Sequence, residues 1–289
     1  MAHVVRAEML AFSVADGAGE VVPVPLGEDN IGWLLICRQT GEACAVDGPE
    51  AGPYLERCDA LGVRLTTVWN THTHGDHIGL NRDLHARGLL AGLRVFAPAA
   101  AKLATPGCTD PVDEGSVAGV GALQAQVLRT DGHLDGHVSF YVPGAVFCGD
   151  TMFTAGCGYL FDGPPSAMWA SLQRLAALPD ATAVCCAHEY TWSNLRFAYA
   201  VEPANSALQA RIRAARTTLA AGGSCVPSTV ALERATNPFL RPTAPTMRAG
   251  YRDRFGTALP DDPELAFAAL RSAKDGTVWR ALTDDTLPR

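Results

Sequence analysis

The sequence predicts an α/β fold, because strand-like runs and helical patterns alternate over the first two thirds of the chain and helical patterns alone fill the rest. Over the first two thirds, short β-branched or apolar runs are broken by glycine and proline, and helical patterns lie between some of them. After about Tyr190 the strand signals fade, and helical patterns joined by proline-containing loops take over. This mixture of hairpins and crossovers favours an α/β sandwich over a purely parallel, doubly wound sheet. We expect a smaller, mainly helical C-terminal domain to follow the sandwich.

The elements follow from these runs in chain order. The strands are predicted where apolar runs end at turn-forming residues, at Val21–Leu26, Ile31–Cys37, Ala43–Asp47, Leu65–Asn70, Arg94–Phe96, Leu123–Arg129, Val138–Val142, Ala145–Cys148 and Ala183–Ala187. The helices are predicted at Pro53–Leu61, Asn81–Arg87, Ser166–Leu178, Asn194–Val201, Ser206–Ala221 and Pro263–Lys274, with a loop over Asn237–Pro245.

Composition limits the classes of function. The chain has 289 residues, a net charge of −7 and a pI near 5.6, which argues against a nucleic-acid partner because phosphate binding needs a basic surface. No run reaches the roughly 18 apolar residues of a membrane span, and the first residues lack a secretory pattern, so a cytoplasmic location is expected. The nine cysteines form no CxxC pair, which indicates free thiols.

The most informative string is Thr71-His72-Thr73-His74-Gly75-Asp76-His77, directly after the apolar run that ends at Trp69. Residues i and i+2 of an extended segment point the same way, so His72 and His74 can converge on one ion. A turn at Gly75 is expected to direct Asp76 and His77 towards a second ion. Solvated loop histidines are the simplest alternative, but four ligand-type side chains in HxHxDH order make a metal site the better interpretation. Imidazole and carboxylate donors suit zinc, iron or manganese.

Three further ligand-type residues follow predicted strands. His133 comes after the strand that ends at Arg129, Asp150 after Ala145–Cys148, and His188 after Ala183–Ala187. Strand ends are where ligands and catalytic groups collect in α/β folds. Each alone has a plain structural explanation, but together they complete two ion sites. His137 is a candidate to hydrogen-bond and orient one of the ligands.

These strings, in this order, resemble the metallo-β-lactamase superfamily, and within it the glyoxalase II (hydroxyacylglutathione hydrolase) family. The narrower match is carried by GDTMFTAGCG from Gly149, AHEYTWSN from Ala187, NPFLR from Asn237 and LRSAKD from Leu270. The similarity runs from about Val24 to about Asp275. It implies an αββα sandwich over residues 1–190 and a smaller α-helical substrate-binding domain over residues 191–289.

The resemblance implies a specific distribution of the ligands. One divalent ion would be held by His72, His74 and His133, and the second by Asp76, His77 and His188. Asp150 would bridge the two ions together with a water or hydroxide, and Asp76 would help to steer it. Zinc is the expected metal, with iron or manganese as alternatives.

The resemblance also implies a substrate and its contacts. The hydroxide would attack the thioester carbonyl of S-D-lactoylglutathione or a related 2-hydroxyacylglutathione and release the 2-hydroxy acid and glutathione. Arg271 and Lys274, one helical turn apart, would bind the glycine carboxylate of glutathione, and Tyr190 would contact its thiol end. Tyr159 and Phe161 are further candidate substrate-binding residues. We expect a monomer with no membrane partner.

Three positions depart from the family pattern. Tyr159 stands where the family usually carries Lys or Arg, so one charge-assisted contact worth about 1.5–3 kcal/mol is lost, and weaker, less salt-sensitive glutathione recognition is expected. Around His133, Asp131 stands where proline is usual and Leu134 where threonine is usual.

The nearest competing hypotheses are another hydrolase of the same fold or a glutathione persulfide dioxygenase with altered thiol specificity. A dioxygenase would use a single iron, so the complete second ligand set counts against it. RNA-processing relatives fit the net charge of −7 poorly. An exported β-lactamase would normally carry a signal peptide. A catalytically silent metal-binding module is expected to lack some of the seven ligand positions, and none is missing.

Overall fold

Two β-sheets lie face to face in the computed structural model of the chain, which describes residues 3–288. The strands, in chain order, are β1 (Phe12–Val14), β2 (Gly19–Leu26), β3 (Asn30–Cys37), β4 (Glu42–Val46), β5 (Arg64–Trp69), β6 (Arg94–Pro98), β7 (Asp110–Val112), β8 (Val117–Val120), β9 (Leu123–Arg129), β10 (Val138–Val142), β11 (Ala145–Gly149), β12 (Met152–Phe153), β13 (Gly156–Cys157), β14 (Ala183–Cys186) and β15 (Ser228–Thr229).

The two sheets have mixed topology. The first has seven strands in the order β1 to β7, antiparallel up to β4 and parallel from β4 onwards. The second has the order β15-β14-β11-β10-β9-β8, and only β11 and β14 pair in parallel. β12 and β13 form a separate hairpin. All the predicted strands are confirmed with ends within two residues, and the short strands β1, β7, β8, β12, β13 and β15 are additions.

The helices cover the outer faces and fill the C-terminal third of the chain. They are α1 (Gly52–Leu61), α2 (Gly75–Ala86), α3 (Pro165–Ala176), α4 (Thr191–Val201), α5 (Ser206–Ala220), α6 (Val230–Thr236), α7 (Pro245–Phe255) and α8 (Pro263–Asp275).

One helix prediction and one loop prediction are wrong in part. The helix predicted at Asn81–Arg87 begins six residues earlier, at Gly75, so Asp76 and His77 lie in its first turn and not in a loop. The segment Asn237–Pro245, predicted as a loop, contains a 3-10 turn at Pro238–Leu240 and runs into α7. Among the described residues, none of the helices is long and apolar enough to cross a membrane.

The core explains the layering. Along β3, Trp33 and Leu35 face the second sheet, whereas Leu34 and Ile36 face α1 and α2, so both faces of the strand are buried. Between the sheets Trp69 stacks on Phe140 with ring centroids 4.8 Å apart. The helices therefore lie outside two packed sheets, as the αββα prediction requires.

A buried carboxylate ties the C-terminal helices to the sandwich. Glu233 of α6 is fully buried and accepts hydrogen bonds from Arg211 of α5 at 2.5 Å and from the main-chain nitrogen of Ala155 at 2.9 Å. Ala155 has a left-handed backbone (φ 55°) in the loop between β12 and β13. This contact fixes the loop that precedes Cys157 against the C-terminal helices.

Candidate metal centre

The predicted ligand residues all lie where strands end. His72 and His74 follow β5, Asp76 and His77 open α2 directly after them, and the others follow β9, β11 and β14 at His133, Asp150 and His188. Their ligand atoms form two groups, each with its members within 4.8 Å of one another: His72, His74, His133 and Asp150 in one, and Asp76, His77 and His188 in the other.

Glycine permits two of these loops to approach closely. Gly149 has φ 48°, and a Cβ there would lie 2.3 Å from Oγ1 of Thr71. The glycine therefore lets the Asp150 loop pack onto the loop that carries His72. Gly132 has φ 131°, and a Cβ there would lie 2.5 Å from Cα of Met168 in α3. This second glycine lets the His133 loop pack against α3.

The first group is a cluster of three imidazoles and one carboxylate. Nδ1 of His74 lies 3.1 Å from Nε2 of His72 and 3.0 Å from Nε2 of His133. Oδ2 of Asp150 lies 3.3 Å from Nε2 of His133. A tetrahedral zinc ion holds its ligand atoms about 3.3 Å apart, so these separations are those of a metal site.

The positions of the protons on the histidine rings also indicate a metal site. Nδ1 of His133 donates to the carbonyl oxygen of Tyr159 at 2.8 Å, and Nδ1 of His72 lies 3.0 Å from a Thr71 hydroxyl that itself donates to Asp47. In the neutral rings the Nε2 atoms of His72 and His133 therefore carry lone pairs, and both face Nδ1 of His74. A single proton on His74 can satisfy only one of them, so the arrangement calls for a cation between the rings.

The second group shares Asp150 with the first. Oδ1 of Asp150 lies 3.4 Å from Nε2 of His77 and 3.6 Å from Nε2 of His188. Oδ2 of Asp76 lies 3.4 Å from the same nitrogen of His188 and 3.9 Å from that of His77. The two oxygens of Asp150 thus point to different groups.

Unpartnered buried atoms mark the centre of the second group. Nε2 of His77 and Oδ1 of Asp150 are buried without a hydrogen-bond partner among the described residues. Leaving such atoms unpaired costs about 1–3 kcal/mol each, more for a charged group. A divalent cation between them would satisfy both, so the residues present fit a metal.

The electrostatics keep the carboxylates and two of the imidazoles in their binding forms, whereas nearby carboxylates favour protonated His77 and His188, whose protons a metal ion would replace. Burial lowers the pKa of His72 and of His133, which keeps these imidazoles neutral. A hydrogen bond from His188 holds the pKa of Asp76 well below its usual range. Burial opposes the charged form of Asp150, but His77 and His188 outweigh it and also hold its pKa well below the usual range. Burial opposes the charged form of His188 too, yet Asp150, Asp29 and Asp76 raise its pKa to about 9.

Two acidic residues that the sequence analysis did not select orient the ligands. Asp47, directly after β4, places Oδ2 3.0 Å from Nδ1 of His77 and accepts from the main-chain nitrogen of Thr71 at 2.9 Å. Asp29, in the β2–β3 turn, lies 3.0 Å from Nδ1 of His188. Because these contacts occupy Nδ1, they leave Nε2 of each histidine for a metal. The position of Asp47 at the end of a strand parallel to β5 was a usable signal, whereas nothing local to Asp29 pointed to His188.

His137 lies behind the first group. Its ring stacks on His72 with centroids 4.8 Å apart, and its Nε2 accepts from the main-chain nitrogen of Asp150 at 3.4 Å. Its Nδ1 lies 3.0 Å from the hydroxyl of Thr130. The structure therefore places His137 in contact with one ligand side chain and with the main chain of another.

Aromatic rings form the outer walls of the centre. Phe161 lies edge-on to His74 and His133 at 5.1 and 5.2 Å, and it contacts Tyr159 at 4.9 Å. On the opposite side Tyr190 stacks on His188, with centroids 4.7 Å apart and an angle of 4°. Tyr159 and Phe161 are 51% and 59% exposed, so they are free to contact a ligand.

Beyond Tyr159 a cationic cleft opens, with a volume of about 670 Å³. We use this term for the cleft lined by Tyr159, Ser193, Arg196, Arg271, Lys274, Asp275, Trp279 and Arg280. Arg271 donates to the carbonyl oxygen of Cys157 at 3.1 Å and to Asp275 at 2.5 Å. Nζ of Lys274 donates to the carbonyl oxygen of Ser193 at 3.0 Å. Arg271 and Lys274, predicted to bind the glycine carboxylate of the substrate, thus line one cleft together with Tyr159.

Two family models match adjoining parts of the chain. The metallo-beta-lactamase superfamily model matches residues 48–188, which include all seven candidate ligands. The model described as the hydroxyacylglutathione hydrolase C-terminus matches residues 189–277, which include Arg271 and Lys274.

Curated relatives match over most of their length. The hydroxyacylglutathione hydrolase of Maricaulis maris is 44% identical over 253 residues, covering 87% of this chain and 96% of that protein. The hydroxyacylglutathione hydrolase of Methylococcus capsulatus is 44% identical over 259 residues, covering 89% and 98% respectively.

Solved structures show the same fold at lower identity. A metallo-beta-lactamase from Staphylococcus aureus is 20% identical with a TM-score of 0.56 and covers 85% of this chain and 68% of that chain. ETHE1 from Myxococcus xanthus is 21% identical with a TM-score of 0.55 and covers 92% and 97% respectively. These two likenesses support the αββα architecture.

Proposed function

The chain belongs to the hydroxyacylglutathione hydrolase family of the metallo-β-lactamase superfamily, and from this membership we propose that it hydrolyses S-D-lactoylglutathione and related 2-hydroxyacylglutathiones. Water cleaves the thioester and gives a 2-hydroxy acid, D-lactate in the first case, and glutathione. The observation that carries the proposal is the pair of ligand groups that share Asp150, with an aromatic path from them to a cationic cleft.

We assign the metal ligands by the two groups. His72, His74 and His133 would hold one divalent ion and Asp76, His77 and His188 the other, and Asp150, whose two oxygens face different groups, would be available to both. Zinc is the metal that this mixture of imidazole and carboxylate donors favours, with iron or manganese as alternatives. Bound divalent ions lower the pKa of a coordinated water and polarise a carbonyl oxygen.

The side chains around the ions supply orientation. Asp76 is the most accessible of the four carboxylates in and behind the second group, with 42% of its side chain exposed against 20% for Asp29, 9% for Asp150 and 6% for Asp47. The side chain of Asn30 donates to Oδ2 of Asp76 at 3.2 Å and so fixes that carboxylate. We assign to Asp76 the role of orienting the attacking water.

The leaving group needs little help. A thiol has a pKa near 8.5, so a thiolate departs without a strong general acid. Burial raises the pKa of Tyr190, so its phenol stays protonated and can donate to the sulfur. We assign to Tyr190 the contact with the thiol end of the substrate, and to Cys157, which is buried against Arg271, a structural role.

The cationic cleft binds the far end of the substrate in this proposal. Glutathione is an anion, and Arg271 and Lys274 carry the charges that suit its glycine carboxylate. Phe161 and Tyr159 lie between them and the metal centre and offer ring faces and a phenol to the peptide. Tyr159 brings no positive charge, so the side chains of α8 contribute more to anion binding.

The experiment is a substrate comparison on one metal-analysed preparation. S-D-lactoylglutathione, a lactone, a β-lactam and glutathione persulfide are assayed side by side, and the metal content is measured by mass spectrometry. We expect thioester hydrolysis to exceed the other activities, with close to two metal ions per chain. Oxygen-dependent consumption of the persulfide with a single iron would instead establish the dioxygenase alternative.

The domain bounds, the oligomeric state and the cellular location complete the assignment. We propose a sandwich domain over residues 1–190 and a helical substrate-binding domain over residues 191–289, supported by two family models that adjoin at residues 188 and 189. A monomeric state and a cytoplasmic location stay predictions.

A further inference from the structure

The segment after α8 folds back onto α4. Trp192 of α4 donates through its indole nitrogen to Asp284 at 3.0 Å, and Arg196 donates to the carbonyl oxygen of Leu282. Closer to α8, the indole nitrogen of Trp279 donates to the carbonyl oxygen of Lys274 at 2.9 Å. The match to the hydroxyacylglutathione hydrolase C-terminal model ends at residue 277, so this tail (residues 278–288) lies beyond it.

Three cationic side chains lie against the ring of Trp279. It is 4% exposed, and Nζ of Lys274 lies 4.3 Å from the ring centroid. The guanidinium carbons of Arg280 and Arg196 lie 5.6 and 5.9 Å from it. Cation–π attraction operates within about 6 Å, so the indole holds these like charges together at the edge of the cleft.

The cations of the cleft are partnered unequally. Arg271 pairs with Asp275, and Arg196 lies 3.6 Å from Asp284 in addition to its contact with Leu282. Within residues 3–288, the guanidinium of Arg280 has no hydrogen bond or ion pair to another side chain. Its contact with the indole face leaves its N–H donors available to an incoming anion.

The neighbouring positive charges destabilise the charged form of Lys274. Burial, together with the cations of Arg271 and Arg280, lowers the pKa of Lys274 to about 7. Asp275 and the buried thiol of Cys157 act in the opposite direction without cancelling the shift. A concentration of cations that destabilise one another is relieved when an anion binds, which indicates an anionic ligand for the cleft.

We propose that Arg280, presented by Trp279, binds the second carboxylate of the glutathionyl group, and this rests on the function proposed above. A glutathione thioester carries two carboxylates, and Arg271 with Lys274 accounts for one of them. Tyr159, which also lines the cleft, carries no charge, so Arg280 is the cleft cation with donors left for the other carboxylate. The tail thus makes the cleft specific for a dicarboxylate peptide thiol.

The test removes the charge of Arg280 and compares a matched arginine elsewhere. Arg280→Ala is expected to raise KM for S-D-lactoylglutathione about threefold to tenfold with little change in kcat, because an exposed ion pair contributes modestly. Arg252→Ala is the control, since Arg252 is also exposed but lies on α7 and does not line the cleft. Arg280→Lys should restore part of the loss.

A binding measurement separates this inference from the proposed reaction. S-Hexylglutathione is a thioether that no hydrolase cleaves, and its affinity is measured by calorimetry for the metal-loaded protein and both alanine variants. Weaker binding to Arg280→Ala alone supports the inference. Equal affinities for the two variants overturn it, even when the wild-type enzyme hydrolyses the thioester normally.

A substrate with one carboxylate completes the comparison. For S-lactoyl-N-acetylcysteine, Arg280→Ala should cost no more than Arg252→Ala, because the second carboxylate is absent. An equal loss on both substrates would show that Arg280 acts only through the general field of the protein and would overturn the inference. If the wild-type protein hydrolyses neither thioester, the proposed function fails, whatever the calorimetry shows for Arg280.

Discussion

The metal centre takes its seven ligand-type side chains from segments that follow four strands and buries most of them. The cationic cleft takes its charges from α4, α8 and the tail, and leaves Asp275 and Arg280 exposed. His77 is fully buried and His72 is 2% exposed, while Tyr159 at the mouth of the cleft is 51% exposed. The comparison teaches that the geometry of the metal centre depends on both sheets of the sandwich, whereas that of the cleft depends on how two helices and the tail pack at the surface. Substitutions in the two regions should therefore differ sharply in size of effect.

The strongest test of the difference is Asp150→Ala. The two carboxylate oxygens of Asp150 face different ligand groups, so the variant should lose bound metal. We expect kcat to fall by about three orders of magnitude, because several kcal/mol of transition-state stabilisation are lost with the metal. Metal analysis and steady-state kinetics measure the effect. Asp253→Ala, at an exposed position on α7, is the matched control, and a metal-free but active Asp150→Ala enzyme would refute the scheme.

A smaller effect is expected from the residues behind the ligands. Asp47→Asn keeps the shape of the side chain but removes the charge beside Nδ1 of His77, so metal affinity should fall about 10- to 100-fold. Competition with a chelator measures this affinity. Asp59→Asn, on the exposed face of α1, should leave it unchanged. If both variants retain metal equally, Asp47 serves the fold and not the metal centre.

In the cleft the prediction concerns pH. Lys274, with its pKa lowered to about 7, is charged below that pH and neutral above it, so KM for the anionic thioester should rise about fivefold between pH 6.5 and 8.5. Arg271, Arg280, Asp275 and Cys157 are the charged or titratable side chains that face the same ammonium. Lys274→Arg stays charged throughout and should flatten the profile. A profile that the substitution leaves unchanged would assign the pH dependence to another group.

The smallest effect is expected at the cleft mouth. Tyr159→Arg should lower KM about threefold and increase its sensitivity to salt, because it adds a cation at an exposed position. Tyr159→Phe serves as the control, since it keeps the ring and adds no charge. KM measured at two ionic strengths checks both statements. An unchanged or higher KM for the arginine variant would mean that the peptide follows another wall of the cleft.

The part of the metal centre that the sequence predicted depends on short-range pattern. The HxHxDH motif places four ligand-type side chains within six consecutive residues. Apolar runs then locate the strands that carry the other ligands. The start of α2 was missed because Asp76 and His77 are ligand-type residues, and Gly75 a turn-forming one, where a helix would show apolar periodicity. Asp29 was missed because its partner, His188, lies far along the chain and is brought near by the bridge between Asn30 and His188.

The cleft was less predictable for a related reason. The spacing of Arg271 and Lys274 placed both on one face of a helix, and the structure has both in the cleft. Trp279 and Arg280 belong to a short 3-10 turn with no periodic pattern, so only the packing of the tail on α4 reveals their position. Edge strands such as β1 and β7 were missed similarly, because three residues are too few to show alternation.

Residue 159 belongs to both regions at once, through different atoms. Its carbonyl oxygen accepts the hydrogen bond of His133 and so fixes a metal ligand, while its side chain forms part of the cleft wall. Any L-amino acid supplies that carbonyl, so the identity of the side chain is free to change without disturbing the ion beneath it. Single substitutions at this position can therefore change the affinity for a particular thiol, while the hydrogen bond that fixes His133 stays in place.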